Sequence, residues 1–202
     1  MNIDLPGDSG DYHLLTEGVE LSKHTVGMTC EIGLRRGGGT KVIIDAIAVH
    51  CPGKVHIAID PYGRIPYEHK QDQPVRLDYT NEMLADCMTN VYRYAQERKV
   101  HFIFFNLEDT EFFKRYFDGV PVYELEKRIE TKYSFVHFDG PHSVEPLMEE
   151  INFFTCFTPP GACWVFDDVV GYYDHDKIEA HLFAHGFKLI RKTHHKALYQ
   201  KI

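Results

Sequence analysis

Acidic side chains stand at the ends of five apolar segments: Glu31 in Glu31-Ile32-Gly33, Asp60, the run Asn106 to Asp109, Asp139, and the pair Asp167-Asp168. Strand ends need not be acidic, so the recurrence points to a ligand held by carboxylates on loops. The first acid leads into a glycine-rich turn, Gly33-Leu34-Arg35-Arg36-Gly37-Gly38-Gly39-Thr40. Glycines permit positive φ and let the backbone approach a ligand closely. The dinucleotide fingerprint G-x-G-x-x-G is absent, because three residues separate Gly33 from Gly37. A phosphate loop of the G-K-[ST] type is absent too, since Gly39-Thr40-Lys41 reverses that order. A plain tight turn would need neither Glu31 nor four glycines.

The elements that must position these residues alternate between strand and helix, the pattern of an α/β domain. Helices are expected over Leu14–His24 with Thr16 as N-cap, Thr40–Cys51, Thr80–Arg98 capped by Thr80, Asp109–Phe117, Ser143–Phe157 and Asp176–His185. Strands are expected over Thr25–Ile32, Val55–Ile59, Val100–Phe105, Tyr133–Phe138 and Ala162–Phe166. Phe187–Arg191 and Ala197–Lys201 read as a terminal hairpin around His194-His195. Val120–Lys132 stays open between a short strand and a helical turn. The expected architecture is therefore a seven-stranded, mostly parallel Rossmann-like sheet with helices on both faces and a C-terminal antiparallel hairpin. One domain over residues 1–202 is expected, with residues 1–13 as an N-terminal extension and residues 61–79 as a substrate loop.

A formal charge of −8 over 202 residues disfavours nucleic acid as the main partner, although Arg64 to Arg76 carries a local basic run. No apolar stretch is long enough to span a bilayer, and Met1 to Gly10 lacks the basic start of a signal peptide. Five cysteines without a C-x-x-C pair argue against a disulfide framework or zinc ribbon, so a cytoplasmic location is expected. Among 13 histidines, His181 and His185 share a helical spacing without the H-E-x-x-H arrangement and read as solvated residues.

The turn Glu31-x-Gly33-x-x-Arg36-Gly37-Gly38-x-Thr40 resembles motif I of class I S-adenosylmethionine (SAM)-dependent methyltransferases. It resembles in particular the sugar O-methyltransferases of the macrocin O-methyltransferase type. The resemblance implies that Glu31, Gly33, Arg36, Gly37, Gly38 and Thr40 wrap the methionine part of SAM. It implies that Asp60 accepts hydrogen bonds from the ribose diol, and that Asn106, Glu108 and Asp139 complete the cofactor site. Phe138-Asp139-Gly140-Pro141-His142, followed by Gly161 and Asp167-Asp168, is similar to the D-G-x-H…G-G-x-x-x-x-D-D pattern of the metal-dependent branch. Ala162 stands where that pattern has its second glycine, and Pro141 where some members carry an acid. The similarity implies Mg²⁺ on Asp139, Asp167 and Asp168, anchoring a hydroxylated small molecule. His142 would be the general base, with Asp139 beside the reaction.

Other readings of the same residues remain. They place His142 on Glu145, Arg36 in solvent, and Asp168 at the cap of a turn. A metal-independent methyltransferase of the same fold, a non-catalytic SAM-binding scaffold, and a nucleotide-binding enzyme with an unusual turn are the competing functions. A homo-oligomer is compatible with the sequence.

Overall fold

Alternation of apolar side chains on both faces of the strands dictates a sheet buried from two sides. In the computed structural model, which describes residues 3–66, 77 and 79–202, that sheet has seven strands. The elements run α1 (His13–Leu21), β1 (Met28–Ile32), α2 (Gly38–His50), β2 (Val55–Ile59), α3 (Asn81–Arg98), β3 (His101–Phe105) and α4 (Asp109–Arg115). They continue β4 (Val120–Tyr123), β5 (Lys127–Glu130), β6 (Tyr133–Phe138), α5 (Val144–Thr155), β7 (Cys163–Phe166), α6 (His175–Ala184), β8 (Phe187–Lys192) and β9 (Ala197–Lys201). The strand order is β3-β2-β1-β6-β7-β9-β8, with β9 antiparallel to both β7 and β8 and the other pairs parallel.

Successive residues of one strand feed opposite cores. Cys30, Val136, Trp164 and Tyr199 join Phe112, Ile151, Phe154 and Ile178 on the face covered by α4, α5 and α6. Phe135, Val165 and Leu198 join Leu14, Ile43, Ile47 and Val91 on the face covered by α1, α2 and α3. Cys30 and Cys163 are buried on opposite faces as small apolar side chains.

Local signals place most boundaries within a few residues. Thr80 caps α3 by accepting a hydrogen bond from the Met83 amide at 3.1 Å. Thr16 does not cap α1: Tyr12 occupies the N-cap and Thr16 lies inside the helix. The left-handed Asp11, with φ 56°, turns the chain early enough to bury Leu14 and Leu15 completely. The first strand starts at Met28 rather than Thr25, because the Thr25 carbonyl binds Lys54 and Gly27 turns at φ 112°. Residues 120–130 form the separate hairpin β4–β5, with no helical turn between its strands. No helix among the described residues is long and apolar enough to cross a membrane. Of the expected substrate loop and basic run, residues 67–76 and 78 lie outside the described residues, among them His69, Lys70 and Arg76.

Candidate functional site

Sheet order reverses between β1 and β6, because β2 and β3 lie to one side and β7 to the other. A crevice at the carboxyl ends of the strands follows from such a reversal. Ladder bonds carry the register just past those ends. The amides of Gly33, Asp60, Asp139 and Asp167 donate to the carbonyls of Ile59, Phe105, Ile32 and Phe138 at 3.0, 3.1, 2.9 and 3.0 Å. A glycine and three acids from four strands are thereby fixed along one rim.

A cavity of about 270 Å³ opens at this rim. Of the residues expected to bind, Gly33, Asp60, Asp139 and His142 line it, together with Asp8, Arg35, Gly39, Tyr79 and Asp109. Gly33 has no alternative here: φ is 88°, and an added Cβ would stand 2.0 Å from the Asp139 carbonyl oxygen. Asp60 accepts a hydrogen bond from the Arg35 amide at 2.7 Å. Burial, offset in part by that amide, pushes its carboxyl up to about 7.

Glu31, Thr40, Gly37 and Gly38 support the rim from behind. Register pairs Glu31 with His137 across β1 and β6, and His137 Nδ1 lies 2.9 Å from Glu31 Oε1. The Thr40 hydroxyl donates to the other Glu31 oxygen. Both Glu31 and His137 are buried, so the pair satisfies two groups that would otherwise be costly to desolvate. A Cβ on Gly38 would meet the Gly7 Cα at 2.6 Å, and one on Gly37 the Leu5 side chain at 2.9 Å. The extension before α1 thus lies over the glycine-rich turn. Asp8 continues the contact with an ion pair to Arg35 at 2.5 Å.

Seven expected cofactor residues stand outside the cavity lining: the four behind the rim, and Arg36, Asn106 and Glu108. Arg36 is exposed, and its neighbour Arg35 lines the cavity instead. Asn106 accepts a hydrogen bond from the Tyr62 amide at 2.8 Å. Glu108 sits at the N-cap of α4, exposed, while the next residue, Asp109, reaches the cavity. Behind Asp109 the fully buried Glu150 carboxyl is raised by burial and then by Asp109. Sequence reasoning missed Glu150, although an acid on the apolar face of a helix is itself a signal.

The two adjacent acids Asp167 and Asp168 separate. Asp168 adopts φ 51° and places Oδ2 3.6 Å from His142 Nδ1. Burial, and then Asp167, push the Asp168 carboxyl up to about 6. Asp167 Oδ1 receives the Lys196 ammonium at 2.5 Å and the Ser9 hydroxyl at 3.0 Å. Burial alone would raise Asp167, but Lys196 and then His137 outweigh it and hold the carboxyl low. Burial, and then Asp167, hold Asp139 well above the usual carboxylate range. The described side chains whose ligand atoms converge within 4.8 Å are His137, Asp139 and Asp167, without Asp168. These donors do not fit the Mg²⁺ implied by resemblance: an ammonium already bonds one ligand oxygen, and the third acid faces an imidazole.

No family model matches the chain, and no curated protein matches it. Solved structures do. CalS11, a calicheamicin methyltransferase, superposes with a TM-score of 0.68 at 12% identity, over 94% of this chain and 78% of that one. The O-methyltransferase TomG from Streptomyces achromogenes, in complex with SAM, gives 0.63 at 13%, over 98% and 82%. The O-methyltransferase NovP gives 0.61 at 17%, over 95% and 80%. At such identities the likeness establishes the fold, a methyltransferase-type Rossmann-like sheet.

Proposed function

We propose that this chain is a SAM-dependent methyltransferase acting on a hydroxyl of a small molecule, a sugar or related metabolite. The observation that carries this reading is the convergence of Gly33, Asp60 and Asp139 on one cavity at the sheet reversal. The residues fit SAM: Gly33 and Gly39 line the cavity at the turn, and Asp60 offers a buried carboxylate to a vicinal diol. The solved relative TomG carries SAM within the same fold. SAM, when bound, supplies a methyl group on a sulfonium sulfur.

His142 lines the cavity with its Nδ1 turned toward Asp168. Its Nε2 would therefore be the atom that takes the proton of the acceptor hydroxyl. Asp168 orients the ring and stabilises the imidazolium. The imidazole suits this proton transfer because its ordinary pKa lies near neutrality. Positioning of the acceptor against the methyl group supplies the rest of the rate. Pro61, Ile65 and Tyr79, from the two ends of the expected substrate loop, line the cavity where the acceptor would lie in this reading.

Calorimetric titration of SAM into the purified protein tests the proposal, followed by methyl transfer to a panel of sugars and phenols. Stoichiometric micromolar binding is expected. A protein silent to SAM would overturn the proposal and return the chain to an α/β domain without an assigned ligand.

A further inference from the structure

We infer that the Lys196 ammonium takes the charge position of a divalent cation at the acidic rim, so that this site binds no metal. The exclusion of metal stands on side-chain geometry, and only its consequence for methyl transfer rests on the function proposed above.

Asp139 and Asp167 bring two carboxyls to adjacent strand ends, where their ligand atoms and one of His137 lie within 4.8 Å of one another. Buried carboxyls this close repel unless a cation or a proton lies between them. In this chain a lysine ammonium pairs with one of the two, Asp167. Lys196 precedes β9 and is completely buried. Its Nζ lies 2.5 Å from Asp167 Oδ1, 2.9 Å from Ser9 Oγ and 4.9 Å from the centre of the Tyr12 ring. Carboxylate, hydroxyl and aromatic face together satisfy a buried ammonium without water.

A divalent ion binding Asp167 would have to displace this ammonium or sit against it. Displacement leaves a lysine buried without a counter-charge, and co-occupancy sets like charges in contact. Asp168, which would complete a three-carboxylate set, points to His142 instead. The ammonium also does what a free ion cannot: through Ser9 and Tyr12 it ties the segment before α1 to the end of β7. Lys196 is thus a positioning residue for Asp167 and for the segment that lies over the glycine-rich turn.

Mn²⁺ titration followed by electron paramagnetic resonance reads metal binding independently of any activity. The wild-type protein is expected to leave the Mn²⁺ signal that of the free ion up to about 1 mM, a range in which weak all-oxygen sites still fill. Lys196→Ala, folded by circular dichroism, is expected to gain one site that Asp167→Asn added to it abolishes. The inference is overturned by a wild-type site lost in Asp167→Asn, or by a folded Lys196→Ala that stays silent. Should Lys196→Ala not fold, the wild-type protein alone decides: thermal midpoints are expected to agree within about one degree, and SAM affinities within about twofold, in Mg²⁺ and in EDTA. A metal-dependent difference there overturns the inference. Failure of SAM to bind in either buffer would strike the proposed function and leave the Mn²⁺ result standing.

Discussion

Gly33 and Asp139 touch backbone to backbone: a single added carbon on the first would stand 2.0 Å from the carbonyl oxygen of the second. The contact joins the ends of β1 and β6, where the sheet order reverses. Gly33→Ala therefore faces both a clash and a left-handed backbone. A stability loss of about 1–3 kcal/mol is expected from the backbone alone, with SAM affinity falling by at least about tenfold as the turn shifts. Thermal melting and calorimetry check both. Wild-type values for the variant would mean the turn is not packed against Asp139.

Asp60 links affinity to pH. Its carboxyl titrates at about 7 in the fold against an ordinary 3.8. The folded protein then holds this proton over a range where the unfolded chain has lost it. The contribution of Asp60 to stability is thus present at low pH and lost as pH rises toward 7, levelling above. Ribose hydroxyls donate to the ionised form, so SAM affinity is expected to rise about tenfold from pH 6 to pH 8. Asp60→Asn should flatten that slope and weaken binding throughout. An unchanged slope in the variant would assign the titration to another group.

His142 and Asp168 differ in what they should cost. His142→Ala is expected to lower kcat by about 10²–10⁴-fold, the usual worth of a positioned base. SAM affinity should hardly move. Asp168→Asn should lower kcat less and shift its pH profile, because the ring keeps its place and loses only the charge behind it. Full kcat in His142→Ala would place the base elsewhere.

Asp8 and Arg35 form a pair whose side chains remain 39% and 30% exposed. Such a pair contributes no more than about 1 kcal/mol to stability. Its larger effect should be kinetic, since Arg35 lines the cavity and Asp8 belongs to the segment lying over the turn. Asp8→Ala is expected to melt within a few degrees of wild type while releasing SAM faster in stopped-flow displacement. Equal release rates would show that the segment does not control access.

The sequence by itself determined the α/β alternation, the strands Val55–Ile59 and Tyr133–Phe138 in full, the Thr80 cap, and the acids and glycines at strand ends. Those signals act over a few residues: period-two apolarity, a capping hydroxyl, a glycine where φ must be positive. Charge partnership was not legible. Ser9, Asp167 and Lys196 meet across 158 and 187 positions of chain, and nothing near any of them announces the others. Glu31 finds His137 only because β1 and β6 are neighbours in one register. The separation of Asp167 from Asp168 was hidden for a related reason. Adjacent residues in extended chain face opposite ways, and the left-handed turn at Asp168 sends its carboxylate to His142 while Asp167 keeps the ammonium. Which partner each acid receives is a property of strand order, and strand order exists only once the sheet has closed.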